Sequence, residues 1–280
     1  MSGEPTGKPR RGALLAGGVF LLALAARLLY LYQSRDNPSF GAPIVDAGDY
    51  DLVARRLLED RALDVRLFWQ PFFYPWFLAA VYGLSAGSIL AAKLAQAILG
   101  SLTCVLVFFL GRRLYDRTTG WVAAALTALY GPLIFFENEL LATGWAAFWS
   151  VALLLLVLRA ADIPRPLETF GLGAVAALAV LTRPSFLPFV VVAWLWLVAR
   201  SVRTGERSAS LVPLVAAPVA GFALIVAPVA SITHSETGRA GFLPASGGLN
   251  AYIGNNPKPC DTLAIRPGRD WLELVSMPER

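Results

Sequence analysis

Long uncharged apolar runs alternate with short charged clusters along most of this 280-residue chain. Eight runs contain no Asp, Glu, Lys or Arg: 12–26, 71–92, 94–111, 118–136, 140–158, 169–182, 184–199 and 208–233. About 20 apolar residues cross the hydrocarbon core of a bilayer as a helix. The pattern therefore predicts an all-α polytopic membrane protein.

The first run continues in apolar residues beyond Arg27 as far as Tyr32. We therefore expect an uncleaved membrane anchor, with the Arg27 side chain snorkelling to the interface. A cleaved signal peptide is the alternative, because basic residues at 8–11 precede an apolar stretch that ends in small residues.

The run 71–92 is opened by prolines and broken by the Gly- and Ser-containing segment 83–87, so we expect an outer-face helix that does not cross. About seven transmembrane helices remain, with the N-terminus in the cytoplasm. Eleven basic residues then fall on the inner side, as the positive-inside rule requires: Lys8, Arg10, Arg11, Arg112, Arg113, Arg117, Arg159, Arg165, Arg200, Arg203 and Arg207. Within the first outer loop, apolar positions at helical spacing from Tyr50 to Leu58 predict a further helix along the interface.

Composition supports the membrane class, since 56% of the residues are hydrophobic, 15% are charged and the mean hydropathy is +0.59. Soluble proteins carry about 25% charged residues. The net charge of +5 lies in clusters between spans, so it indicates topology and not a nucleic-acid partner. Two cysteines make no disulfide framework, and the single histidine, His234, excludes a His-rich metal centre.

Two acidic groups lie on the predicted outer side. Asp46 and Asp49 share a helix face where the first loop enters its interfacial helix. They are either a solvated helix start, with Asp46 as the N-cap, or a general base or metal ligand held at the membrane surface. Glu137 and Glu139 interrupt an otherwise uncharged stretch. They form either a polar turn between two spans or part of an acidic site.

Arg183 separates two runs that are both short for a full crossing, so the chain is expected to turn there below the outer surface. A guanidinium at that depth is well suited to grip a phosphate. The alternative is a structural ion pair with Glu137 or Glu139.

In this order along the chain, the polar positions resemble the GT-C membrane glycosyltransferases. The nearest resemblance is to bacterial members of the dolichyl-phosphate-mannose protein mannosyltransferase and aminoarabinose lipid A transferase superfamily. Five motifs carry it: Asp46-Ala47-Gly48-Asp49-Tyr50, Gln70-Pro71-Phe72-Phe73-Tyr74-Pro75, Phe136-Glu137-Asn138-Glu139-Leu140-Leu141, Leu181-Thr182-Arg183-Pro184, and the segment from Gly247 to Pro257.

The resemblance implies transfer of a sugar, with inversion, from a polyprenyl-phosphate-linked donor to an acceptor hydroxyl on a protein, lipid or glycan. Asp46 would deprotonate the acceptor, and Arg183 would stabilise the departing lipid phosphate. Glu139 would orient the acceptor, assist the donor, or join Asp46 around a divalent cation, the one cofactor left open. The other implied substrate-binding residues are Asp49, Tyr50, Tyr74, Glu137, Asn250, Tyr252 and Asn255.

The expected organisation is a basic cytoplasmic N-terminus at 1–11, a transmembrane GT-C-like module at 12–233 with an extracytoplasmic loop at 33–92, and an extracytoplasmic tail at 234–280. Family members usually continue with more spans or a periplasmic domain, so the resemblance predicts a C-terminally truncated form. The expected location is the bacterial inner membrane, with membrane lipids as neighbours and the active site outside.

Two departures and two rival functions accompany this interpretation. Asp46-Ala47 stands where the family often has two acids, and Gln70 stands where lipid A transferases have a basic residue, which weakens lipid A specificity. A polyprenyl-glycan binding or transport protein would show internal repeats and midplane polar residues, and the sequence indicates neither. An inactive truncated subunit is the third hypothesis.

Overall fold

The computed structural model describes residues 9–38, 40–59, 68–203 and 212–255, and the regular secondary structure in these ranges is helical. The helices are α1 Pro9–Ser34, α2 Asp46–Leu58, α3 Phe73–Ser85, α4 Ile89–Leu114, α5 Arg117–Ala128, α6 Gly131–Asn138, α7 Thr143–Asp162, α8 Pro166–Thr182, α9 Phe186–Arg203, α10 Ala217–Thr237 and α11 Gly247–Asn255, with a π-helical turn at Val212–Ala216 before α10.

Five of these helical segments are long and apolar enough to cross a membrane: Leu14–Ser34, Ile89–Leu114, Thr143–Asp162, Phe186–Arg203 and Pro213–Thr237. Helices α5 and α6 form a sixth span if the pair, bent by 52°, is counted as one. Helix α8 is apolar but has only 17 residues. The all-α polytopic class is therefore confirmed, and counting both the bent pair and α8 would give the predicted seven.

Small residues let α8 pack closely against α10. A Cβ added at Gly173 would overlap the backbone of Pro218 in α10, and one added at Gly221 would overlap the backbone of Phe170 in α8. Small residues let two helices approach closely where lipid supplies no hydrophobic force between them.

The basic clusters between helices gather at one end of the bundle, which we call the arginine-rich end (Arg113, Arg159, Arg165 and Arg200). Arg113 of α4 pairs with Asp162 of α7 at 2.5 Å, and Arg159 pairs with Glu168 of α8 at 3.0 Å. Arg200 of α9 donates to the Ala161 carbonyl at 3.3 Å. A shared end for these clusters is what the positive-inside prediction requires.

Helix α3 has 13 residues, which is short for a crossing, and it packs along α2 and ends in a left-handed Ala86 with φ 52°. Helix α4 then starts at Ile89, with the Ser88 side chain accepting a hydrogen bond from the Ala91 N–H at 3.2 Å. The predicted border between the two runs was therefore wrong by one helical turn. Lys93 lies inside α4 and is 2% exposed, and does not separate two segments.

Candidate active site

Asp46 and Glu139 line one cavity of about 420 Å³ at the end of the bundle opposite the arginine-rich end. Asp46 is the first residue of α2, and Glu139 directly follows α6. The remaining lining residues are Tyr30, Ser34, Asn37, Phe40, Ile44, Val45, Ala47, Lys93, Phe135, Phe136, Asn138 and Leu141. Two carboxylates that lie 93 positions apart in the sequence thus face a common space.

The cavity offers few ligands for a divalent cation. Among the residues that the structure describes, no three His, Cys, Asp or Glu side chains come together in a metal-binding group. Mg²⁺ takes six oxygen ligands, often several of them water. Among the described residues that line the cavity, Asp46 and Glu139 are the two that could give such a cation a charged ligand.

The chain enters α2 through a strained residue. Val45 precedes the helix with φ 55° and ψ −132°, a region that β-branched residues rarely adopt. The expectation that Asp46 caps the helix was wrong, because Val45 holds the N-cap position and no side chain caps it. Asp46 and Asp49 instead lie in the first turn, exposed, where the helix dipole favours negative charge.

Helix α2 is fixed to α3 by a clamp of three side chains, Asp51, Arg55 and Tyr82. The Tyr82 hydroxyl donates to Asp51 Oδ1 at 2.6 Å, and Arg55 Nε donates to Asp51 Oδ2 at 2.9 Å. Arg55 also donates to the Gly87 carbonyl at 3.3 Å, beyond the end of α3. The clamp holds the helix that carries Asp46.

Tyr50 and Tyr74 lie in the core between α2 and α3. Their rings meet edge to face with centroids 4.8 Å apart, and they are 7% and 0% exposed. The Tyr50 hydroxyl donates to Gln70 Oε1 at 3.4 Å. Burial, followed by the nearby Asp46 charge, raises the pKa of Tyr50 to about 12, so its hydroxyl keeps its proton at neutral pH. The predicted substrate contacts of both tyrosines remain predictions.

Glu137 turns inward, away from this cavity, and pairs with Arg27 of α1. Arg27 Nε lies 2.6 Å from Glu137 Oε2, and the two side chains are 2% and 1% exposed. A Cβ at Gly100 of α4 would overlap both charged groups, so glycine makes room for the pair. The expectation that Arg27 snorkels to the interface was wrong, because its charge is neutralised inside the bundle.

The side chain of Gln96 in α4 binds the backbone of the turn between Glu137 and Glu139. Its amide nitrogen donates to the Glu137 carbonyl at 2.5 Å and to the Glu139 carbonyl at 2.7 Å. Its amide oxygen accepts from the Tyr74 hydroxyl. Gln96 is 1% exposed.

Lys93 brings a basic group to the cavity that holds the two carboxylates. Its Nζ lies 4.1 Å from the centre of the Phe40 ring, which is cation–π distance. The sequence reasoning missed both Lys93 and Gln96 as site residues. The signal was there, because polar side chains inside an apolar span are rare and face a cavity or a partner.

Arg183 lies in the turn after α8 and does not line the 420 Å³ cavity. It is exposed, and its Nη2 donates to Thr143 Oγ1 at the start of α7 at 3.1 Å. The alternative of an ion pair with Glu137 or Glu139 was wrong for Glu137, whose partner is Arg27. The charge of Arg183 still acts on Tyr50, since it opposes the rise in the pKa of that tyrosine.

The predicted residues of the tail lie in α11. Tyr252 is 54% exposed, and Asn255 donates to the Ala251 carbonyl of its own helix at 2.8 Å. The side chain of Asn250 lies outside the described residues. Neither Tyr252 nor Asn255 lines the cavity of Asp46 and Glu139.

A sequence model of the dolichyl-phosphate-mannose-protein mannosyltransferase family matches residues 69–232, more than half of the chain. The chain belongs to this family. It is a multi-pass membrane glycosyltransferase of the GT-C type. No curated protein and no solved structure matches the chain. The matched mannosyltransferase region contains Tyr74, Lys93, Glu139 and Arg183, whereas Asp46 precedes it.

Proposed function

We propose that the protein transfers a sugar from a polyprenyl-phosphate-linked donor to an acceptor hydroxyl, with inversion, on the extracytoplasmic face of a bacterial inner membrane. The observation that carries this proposal is the common cavity of Asp46 and Glu139, which also contains Lys93. Family membership supplies the chemistry, and the cavity supplies acidic and basic groups in one place.

Asp46 acts as the general base. It is exposed at the cavity wall, so an acceptor hydroxyl can reach it. Removal of the hydroxyl proton as the sugar carbon is attacked contributes typically 10²–10⁴-fold to rate.

Of the residues that the structure describes, Lys93 and Arg183 are the cations that we place at the leaving phosphate. Negative charge grows on that phosphate as its bond to the sugar breaks, so a fixed cation stabilises the transition state more than the ground state. Lys93 is the inner one, within the cavity, and Arg183 is the outer one, held by Thr143. Glu139 is half-buried in the cavity wall, and in our proposal it orients the acceptor.

Apolar side chains also line the cavity. Phe135 and Phe136 are 45% and 43% exposed, and both line the cavity. They give the polyprenyl chain an apolar surface beside the charged groups. Asp49, Tyr50, Tyr74, Asn250, Tyr252 and Asn255 are the further substrate contacts that we propose.

Transfer in proteoliposomes tests the function. The donors are radiolabelled polyprenyl-phosphate mannose, glucose and galactose, and the acceptor is a bacterial membrane extract. We expect transfer by the wild type, with Asp46→Asn and Lys93→Met each lowering kcat by at least about 100-fold. Asp162→Asn, an exposed carboxylate at the arginine-rich end, is the control and should keep wild-type transfer.

The outcomes separate the rival functions. Donor binding without transfer by the folded wild type would favour a binding protein or an inactive subunit. Wild-type transfer that survives Asp46→Asn would show that the base lies elsewhere. The anomeric configuration of the product, read by NMR, decides between inversion and retention.

A further inference from the structure

The side chain of Gln96 connects two parts of the site that lie far apart in the sequence, Tyr74 of α3 and the turn that carries Glu139. It lies in the second turn of α4, with α3 on one side and the turn after α6 on the other. We propose that Gln96 is a positioning residue for Glu139, and that it links the Glu139 turn to Tyr74. The proposal rests on the transferase function above.

The partners of Gln96 determine how its amide is oriented. The Glu137 and Glu139 carbonyl oxygens can only accept hydrogen bonds, so the amide nitrogen must face them. The amide oxygen is then left for the Tyr74 hydroxyl, which donates to it. All of the geometry thus supports one orientation, with both amide hydrogens used.

The two carbonyls lie on either side of Asn138, so holding them fixes the backbone of the whole turn. The Glu137 side chain is directed inward to Arg27, and the Glu139 side chain faces the cavity. Asn138 donates to Ser34 of α1 at 3.3 Å. With its backbone held at both ends, the turn has little freedom to rotate Glu139 away from the cavity.

A merely structural role for Gln96 is the competing explanation. The last carbonyls of a helix have no partner within the helix, and at membrane depth such groups must be satisfied by protein. Gln96 meets that need at the end of α6. A structural role predicts a less stable protein whose folded fraction works normally, whereas a positioning role predicts a folded protein with slower chemistry.

Steady-state transfer by Gln96→Met separates these two roles. We expect kcat to fall by about 10- to 100-fold, because a displacement near 1 Å at a reacting group costs rates of this order. The KM for the donor should stay within about twofold, since Lys93 and Arg183 are untouched. Hydrogen–deuterium exchange should rise in the segment 136–141.

Ser101→Ala is the matched control, because Ser101 is on the same helix, 0% exposed, and donates only to the Ala97 carbonyl, at 2.7 Å. It should change neither kcat nor exchange in 136–141. Tyr74→Phe leaves both amide donors in place and should lower kcat less than Gln96→Met. Gln96→Asn keeps the amide but shortens the side chain, and serves as the second variant if Gln96→Met does not fold.

A folded Gln96 variant with wild-type kcat would overturn the positioning role and leave the transferase function intact. A loss confined to the yield of folded protein, with normal kcat per folded molecule, would overturn it as well. Absence of transfer by the wild type would instead overturn the proposed function.

Discussion

Two regions of the molecule carry the two cavity carboxylates, and they are held in opposite ways. Helix α2, which carries Asp46, is fixed near the surface by the clamp of Asp51, Arg55 and Tyr82, where Arg55 and Asp51 are 40% and 17% exposed. The turn that carries Glu139 is fixed from inside by Gln96 and by the Arg27–Glu137 pair, with side chains 2% and 1% exposed.

The difference in burial changes how much each contact contributes to the stability of the protein. An exposed ion pair contributes about 0–1 kcal/mol, because water solvates its members almost as well when they are apart. Removing one member of a buried pair leaves the other charge without water or partner, at a cost of about 3–5 kcal/mol. Damage to the Glu139 side should therefore weaken the whole bundle, and damage to the Asp46 side should loosen α2 alone.

The largest effect is expected from Glu137→Gln, which leaves Arg27 buried without its anion. We expect a loss of about 3–5 kcal/mol in the free energy of unfolding, seen as a lower midpoint of thermal unfolding in detergent. The double variant Arg27→Met/Glu137→Gln should recover much of this loss, because it buries no charge.

Glu168→Gln is the control for that prediction, since Glu168 pairs with exposed Arg159 and Arg165 at the arginine-rich end. Its midpoint of thermal unfolding should stay close to that of the wild type, because exposed ion pairs contribute little to stability. Equal stability of Glu137→Gln and the wild type would remove the contrast between the two regions.

The same contrast explains which parts of the molecule were predictable from sequence. Apolar runs are long and local, so the class, the helix at Tyr50–Leu58 and a helix within 71–92 could be derived without tertiary information. The arginine-rich end followed from charge clusters between runs, which also lie close together in the chain.

The contacts inside the bundle could not be derived in this way. Arg27 and Glu137 are 110 positions apart, and Gln96 reaches the Glu139 carbonyl across 43 positions. Their pairing depends on how α1, α4 and α6 pack, which no local pattern encodes. The local sequence around Arg27 is compatible with a snorkelling side chain and with a buried one. Only the position of Glu137 in the folded protein decides between them.

Gly100→Ala tests the packing around the buried pair and should have the next largest effect. The added Cβ would overlap Glu137 Oε2 and Arg27 Nε, so the pair must separate or α4 must shift. Overpacking of this kind costs about 1–3 kcal/mol. The thermal unfolding midpoint should fall, although no hydrogen-bonding group has been removed.

Gly17→Ala in α1 is the matched control, since a Cβ there meets nothing within 4 Å. It should be neutral or slightly stabilising, because alanine favours helix by up to about 1 kcal/mol over glycine. A Gly100→Ala protein as stable as Gly17→Ala would mean that the pair has room to move.

Tyr82→Phe tests the other region and should have the smallest effect. It removes one hydrogen bond to Asp51 while Arg55 still pairs with that carboxylate, so we expect a loss of about 1 kcal/mol. Tyr115→Phe, at a tyrosine that is 77% exposed, should cost nothing measurable. The informative result is the segment in which hydrogen–deuterium exchange increases. If the clamp acts on α2 alone, exchange should increase in Asp46–Leu58 and stay unchanged in 136–141. Gln96→Met is expected to give the reverse pattern. An increase in both segments would show that Asp46 and Glu139 are held by one cooperative unit, joined through the Tyr74–Gln96 hydrogen bond, and that the two regions differ in depth but not in independence.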